Sequence, residues 1–293
     1  MNSHRIQQQD INSYKTSHLN CSSKTTMANK PEPEPELMIV LFGKTGVGKS
    51  SSGNRILGQN RFNSSTDTCQ KETRDLGDET GQALAGKKLA IVNCPGLFHT
   101  SKDHDTVIEE IRDFISSIKP GPHVFLFTVD VTQFDADDKV SLEAFQKIFK
   151  GAESHTIVLF THCQDEREIV NFLQNSQNRS ISEFIKKQEV VYQAFDNMTE
   201  NDQVPELLEK INDVVNKNGG GRYSSEMLEK VVAAFAEIQS SQRKESSHSF
   251  PPQAMELYKK GSSELQKKFP VVKDFIDFMC TLAYECMPRE YKQ

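Results

Sequence analysis

Residues 43–50 read Gly43-Lys44-Thr45-Gly46-Val47-Gly48-Lys49-Ser50, a complete G-x-x-x-x-G-K-S that directly follows the apolar run Leu37-Met38-Ile39-Val40-Leu41-Phe42. A glycine-rich turn between a strand and a helix folds backbone N–H groups inward around an anion, and the closing lysine and hydroxyl complete a polyphosphate cradle. The pattern predicts that Gly43 through Ser51 hold the phosphates of a nucleoside triphosphate. Lys49 spans the β- and γ-phosphates, and Ser50 ligates Mg²⁺. The helix that starts here, over 50–57, points its positive N-terminal end at the same anion.

The rest of the chain supplies the frame that such a loop needs. Short β-branched runs alternate with amphipathic segments, the pattern of a mostly parallel sheet covered by helices on both faces. The expected fold is α/β, a phosphate-loop NTPase domain of three α/β/α layers. Strands are predicted over 37–42, 88–93, 123–129, 156–161 and 190–195, with a weaker sixth at an edge near 73–79. Helices are predicted near 50–57, 105–118, 137–149, 166–187 (broken near Asn178) and 203–217. In the second of these, Val107, Ile108, Ile111, Ile115 and Ile118 recur at spacings of three and four. Residues 1–36 are polar and end in Pro31-Glu32-Pro33-Glu34-Pro35-Glu36, which reads as an extended, disordered arm. The nucleotide domain is assigned to 37–220. Gly219-Gly220-Gly221 stops the last helix, and 221–293 reads as a helical extension.

Bulk charge narrows the partners. With 35 Lys and Arg against 41 Asp and Glu, the 293-residue chain has a net charge of −6. No basic face is available for a nucleic-acid backbone. The six cysteines (Cys21, Cys69, Cys94, Cys163, Cys280 and Cys286) form no C-x-x-C pair and follow no apolar leader, so they are expected to be reduced thiols in the cytosol. The C-terminal apolar face around Phe275, Phe278 and Leu282 is interrupted by Lys273, Asp274 and Asp277, too charged and short for a transmembrane span.

Beyond the phosphate loop, strand 88–93 delivers Asn93-Cys94-Pro95-Gly96 to the sheet's carboxyl edge. GTPases commonly place Asp-x-x-Gly there, the acid holding an Mg²⁺-bound water and the glycine N–H reporting the γ-phosphate. Asn93 can accept a hydrogen bond from that water but brings no negative charge to a hard cation. Gly96 is therefore expected to sense the γ-phosphate while Mg²⁺ is held more weakly. Where many GTPases carry the glutamine that orients water, this chain continues Leu97-Phe98-His99, and intrinsic hydrolysis is expected to be slow. Thr66 or Thr68 is placed to supply a switch hydroxyl to Mg²⁺, and spacing does not choose between them. Base recognition is assigned to Thr161-His162-Cys163-Gln164-Asp165. The common signature is Asn/Thr-Lys-x-Asp; here Gln164 takes the fourth place and the acid, Asp165, comes one residue later, so these residues alone do not prove guanine over adenine.

In this order, the motifs resemble the AIG1-type GTPases, the GTPases of immunity-associated proteins, which are related to the chloroplast import-receptor GTPases of the septin-like group. The resemblance runs over residues 37–240. It rests on 43–58, on Thr66-Asp67-Thr68-Cys69, Cys94-Pro95-Gly96-Leu97-Phe98, Gly121-Pro122-His123 and Val158-Leu159-Phe160-Thr161-His162, and on Gly220-Gly221-Arg222-Tyr223-Ser224-Ser225-Glu226-Met227. Relatives in this group read the base through a Thr-His or Thr-Arg pair, which makes His162 a guanine contact. Their last nucleotide loop, Ala-Phe-Asn-Asn, corresponds to Ala194-Phe195-Asp196-Asn197, with Asn197 the first choice of base ligand and Asp196 the second. The group's Arg-Phe/Tyr-Thr, whose arginine suits a finger into a partner's nucleotide, is replaced by Gln133-Phe134-Asp135. Glutamine cannot neutralise transition-state charge.

The resemblance implies a GTP/GDP switch dependent on Mg²⁺. It also implies homodimers or oligomers formed across the nucleotide face, immune roles, and a cytoplasmic setting with peripheral contact at intracellular membranes. The alternative is a dimerisation-activated GTP hydrolase with another donor, for instance Arg112.

Overall fold

The computed structural model describes residues 36–63, 69–77, 84, 86–94, 96, 110, 113–198 and 203–223. Six strands form one sheet: β1 (Glu36–Phe42), β2 (Gln70–Asp75), β3 (Lys88–Asn93), β4 (Val124–Asp130), β5 (Thr156–Thr161) and β6 (Val191–Phe195). Its order is β2-β3-β1-β4-β5-β6; every neighbouring pair is parallel except β2 with β3. The helices are α1 (Lys49–Leu57), α2 (Ala136–Ile148), α3 (Glu166–Gln174), α4 (Arg179–Gln188) and α5 (Val204–Lys217). Residues 113–117 are also helical, inside the predicted 105–118 segment.

The two-residue period of β1 divides the core. Leu37, Ile39 and Leu41 face one layer with Ile56 of α1 and Leu207, Leu208 and Ile211 of α5. Met38, Val40 and Phe42 face the other, where Phe42, Phe114, Phe125, Phe145 and Phe149 pack with ring centroids between 4.7 and 6.0 Å apart. The helix expected over 166–187 is divided by a short 3-10 turn, Ser176–Asn178, where the side-chain amide of Asn178 donates to the carbonyl of Phe172.

Three expectations shift. The edge strand lies at 70–75 rather than 73–79, because its ladder with β3 recruits polar residues whose burial alternates without an apolar signal. Glu36, assigned to the arm, is the first residue of β1. The reduced-thiol expectation is overturned at one pair. Cys69 and Cys94 are joined by a disulfide, because the β2–β3 register sets them opposite each other. Cys163 is a free, buried thiol, and burial pushes its pKa up to about 12. Residues 1–35 and 224–293, with the expected arm and most of the helical extension, lie outside the described residues.

The Gly-Arg-Tyr stretch is a latch at the sheet edge opposite the phosphate loop. Arg222 donates to the carbonyls of Gly121 and Glu36, and the Tyr223 hydroxyl donates to the carbonyl of Lys150. His123 stands at the same edge, where its ring Nδ1 accepts from the N–H of Met38 while its backbone N–H donates to the Met38 carbonyl. That acceptor role requires a neutral ring. Burial, reinforced by the charges of Arg222, His155 and Lys87, holds its pKa down to about 4. The unfolded chain, with a histidine near 6.5, binds more protons between these values, so stability rises with pH across that window and is lost as pH falls through it. Lowering pH from 7 to 5 is expected to remove about 1–2 kcal/mol of unfolding free energy. Urea denaturation at the two values measures this, and His123→Asn should flatten the slope.

Candidate functional site

Gly43–Ser50 connects β1 to α1 at the carboxyl edge of the sheet, where β1 lies between β3 and β4. Gly43 has φ +140°, and a Cβ there would stand 2.5 Å from the Thr128 carbonyl oxygen, so glycine is required where the loop leaves the strand. Lys49 is only 6% exposed, and its ammonium donates to the carbonyls of Gly43 at 2.9 Å and Lys44 at 2.7 Å. The loop is wrapped around the lysine. Burial pushes its pKa down to about 7, against the opposing charge of Asp138.

Lys44 turns outward to Asp135 and Asp138, each at 2.8 Å. Burial works against its charge, but the two hydrogen bonds outweigh it and the pKa is raised. Asp135 caps α2 in a capping box with Asp138, so this pairing fixes the phosphate loop to the start of that helix. Between them lies a cavity of about 250 Å³ bounded by Lys44, Thr45, Gly46 and Val47 on one side and by Asp130, Gln133, Asp135 and Asp137 on the other.

The end of β3 meets the loop at two points. The side-chain amide of Asn93 donates to the Ser50 hydroxyl at 3.0 Å. Asn93 is 5% exposed, and its carbonyl oxygen has no hydrogen-bond partner among the described residues. A buried acceptor beside a hydroxyl of the Mg²⁺-ligating type fits a metal-bound water. Gly96 lies against the backbone and side chain of Thr45 so closely that any Cβ would collide with the Thr45 N–H.

On the other flank, the Thr161 hydroxyl donates to the Val47 carbonyl at 2.8 Å, tying the end of β5 to the phosphate loop. His162 follows with φ 52°, and its Nδ1 sits 3.1 Å from Asp130; the side chain is 41% exposed. Asn197 and Ser52 exchange hydrogen bonds at 3.2 and 3.3 Å, which brings the β6 loop onto α1. Asp196 accepts from Gln164 and from the Met198 N–H, while its backbone carbonyl receives Arg55 at 2.7 Å. His162, Gln164, Asp196 and Asn197 thus belong to loops joined to one another or to the phosphate loop and α1. Asp165 does different work: its carboxylate caps α3 by accepting from the N–H groups of Arg167 and Glu168, and it pairs with the Arg167 side chain.

The sequence model of the AIG1 family matches residues 37–242, all of this sheet but Glu36 and both flanks of the site. The chain belongs to the AIG1 family. Relatives of this AIG1-family chain include GTPase IMAP family member 8 of Homo sapiens, 30% identical over 200 residues covering 63% of this chain and 28% of that protein. Immune-associated nucleotide-binding protein 9 of Arabidopsis thaliana is 30% identical over 210 residues, covering 66% of this chain and 59% of that protein. The match therefore spans less than two thirds of either relative. Toc33 from Arabidopsis thaliana, solved in complex with Mg²⁺ and GMPPNP, aligns at 18% identity with TM-score 0.48, covering 62% of this chain and 85% of that one.

Of the AIG1-family positions singled out from sequence, Gly43, Lys44, Thr45, Gly46, Val47, Gly48, Lys49, Ser50, Ser51, Asn93 and Gly96 are assembled along the loop and its β3 flank. Thr66, Thr68, Leu97, His99 and Arg112 lie outside the described residues. Sequence reasoning passed over Ser52 and Asp130. Asp130 is a charge closing an apolar strand at the functional edge, a signal the sequence carried.

Proposed function

We propose that this chain is a guanine-nucleotide switch that binds GTP or GDP with Mg²⁺ and self-associates in the triphosphate state through its nucleotide face. The observation that carries the reading is the buried Asn93 oxygen, without a partner among the described residues and beside Ser50, three residues before Gly96, which presses on Thr45. Mg²⁺ would neutralise phosphate charge. Lys49 and the loop N–H groups hold the polyphosphate, Ser50 and Asn93 hold the metal and its water, and Thr66 is offered as the switch hydroxyl. His162, Gln164, Asp196 and Asn197 orient the base, with Asp165 acting through the loop it caps.

Slow hydrolysis follows from chemistry. Leu97 cannot orient water and Gln133 cannot supply positive charge to the transition state, so GTP acts chiefly as a ligand that favours one arrangement of the loops. Self-association through the nucleotide face is extended to this chain from the family resemblance. The immune setting carried by the relatives' names is extended to this chain as part of the proposal. No helix among the described residues is long and apolar enough to cross a membrane.

Sedimentation of the chain with GDP or a non-hydrolysable GTP analogue, each with Mg²⁺, tests the reading. A larger dimer fraction with the analogue is expected; equal fractions remove the switch. The dimerisation-activated hydrolase is separated by the rate per molecule, which should stay near background as protein concentration rises.

A further inference from the structure

The β2–β3 ladder ends with Gln70 opposite Asn93, and the same antiparallel register carried one residue further sets Cys69 opposite Cys94. The two sulfurs are bonded across 25 residues of sequence. No loop has to move to bring them together, because the sheet itself aligns the pair. Cys94 is buried, while Cys69 is half-buried against the core and so offers the sulfur that a solution reagent meets first.

The location matters more than the bond. Cys69 directly follows the segment that carries Thr66 and Thr68. Cys94 follows Asn93, whose amide holds Ser50, and stands two residues before Gly96, which lies on Thr45. The disulfide therefore ties the residue that closes the Thr66/Thr68 stretch to the residue that follows Asn93.

We propose that Cys69 and Cys94 are a reversible oxidation site for small-molecule disulfides, and that closing it restrains both phosphate-sensing segments and so weakens discrimination between GTP and GDP. This rests on the guanine-nucleotide reading above. In the first step the Cys69 sulfur attacks the small disulfide, forming a mixed disulfide and releasing one thiol. The Cys94 sulfur then displaces the second thiol. One Sγ–Sγ bond replaces the reagent's S–S bond, and two electrons and two protons pass from the cysteines to the two released thiols. A switch works by letting its segments rearrange when a third phosphate arrives. A covalent tie next to both limits that rearrangement, whereas two free thiols leave only ladder hydrogen bonds to oppose it.

The full chain is equilibrated with reduced or oxidised glutathione, and affinities for a non-hydrolysable GTP analogue and for GDP are measured with Mg²⁺ in each. Peptide mapping without reductant reports the link. The linked Cys69–Cys94 peptide is expected in the oxidised sample alone, and the ratio of analogue to GDP affinity is expected to be at least about fivefold higher in the reduced one. Cys69→Ser and Cys94→Ser should each hold one ratio under both conditions. The inference is overturned if the linked peptide never forms, or if the ratio is the same in both states. It is equally overturned if either variant keeps the glutathione response, which would assign the effect to other cysteines. A chain that forms the link yet binds neither nucleotide in either state removes the guanine-nucleotide reading and this inference with it; unchanged discrimination in a chain that binds both removes this inference alone.

Discussion

Replacing Lys49 with alanine is expected to weaken GTP binding by at least about a hundredfold, because charge-assisted hydrogen bonds to phosphate contribute about 1.5–3 kcal/mol each and this ammonium serves two phosphates. Titration with a fluorescent GTP analogue measures the loss, and undiminished affinity would remove the phosphate-cradle assignment. The structure adds a second readout. Without phosphates, the Lys49 ammonium is buried against two loop carbonyls and its pKa is down to about 7. At pH 8 the free chain therefore carries it mostly neutral, and a polyphosphate beside it favours the protonated form. Binding at pH 8 should take up close to one proton, and affinity should fall as pH rises above 7. Calorimetry in buffers of different ionisation enthalpy detects that proton, and K49A should abolish its uptake. The alanine variant also leaves the carbonyls of Gly43 and Lys44 without their donor, so circular dichroism is needed to show that the sheet persists.

Much of this architecture was legible because its signals are local. The phosphate loop carries its glycines, lysine and serine in eight consecutive residues, and β1, β3, β4 and β5 are continuous apolar runs of the kind that sheets buried on both faces require. The break at Asn178 was legible too, since a polar stretch interrupts an amphipathic period there. What escaped depends on pairing across the chain. Edge strand β2 has no apolar residue to announce it and exists through its ladder with β3. Misplacing it by three residues hid the alignment of Cys69 with Cys94, because a cross-strand contact can be read only from the correct register. Asp165 shows the same limit in the site. As a carboxylate near the base signature it invited a role with the nucleobase, yet its position immediately before α3 gave it a helix to cap, and the local hydrogen bonds took it.

Asn93→Asp should tighten Mg²⁺ in the nucleotide complex by at least about tenfold, since the substitution places a full negative charge beside a hard divalent cation where an amide offers only a dipole. The structure also implies a cost in the absence of the metal. Asn93 now donates to the Ser50 hydroxyl and leaves its own carbonyl oxygen unpaired among the described residues. A carboxylate can only accept, so the Ser50 hydroxyl must reverse and donate, and a charge must sit where Asn93 is 5% exposed. Without Mg²⁺ and nucleotide, the variant is expected to melt several degrees below the parent; with both, it should regain that difference or exceed it. Asn93→Ala separates charge from shape: it removes the donor to Ser50 and the acceptor for the metal-bound water together, so its Mg²⁺ affinity should fall below that of the parent. Mg²⁺ titrations of the three chains loaded with the same GTP analogue should rank them Asp above Asn above Ala. An aspartate variant with Mg²⁺ affinity no better than the parent would mean that the metal lies away from Asn93, and the orphaned oxygen beside Ser50 would then need another occupant.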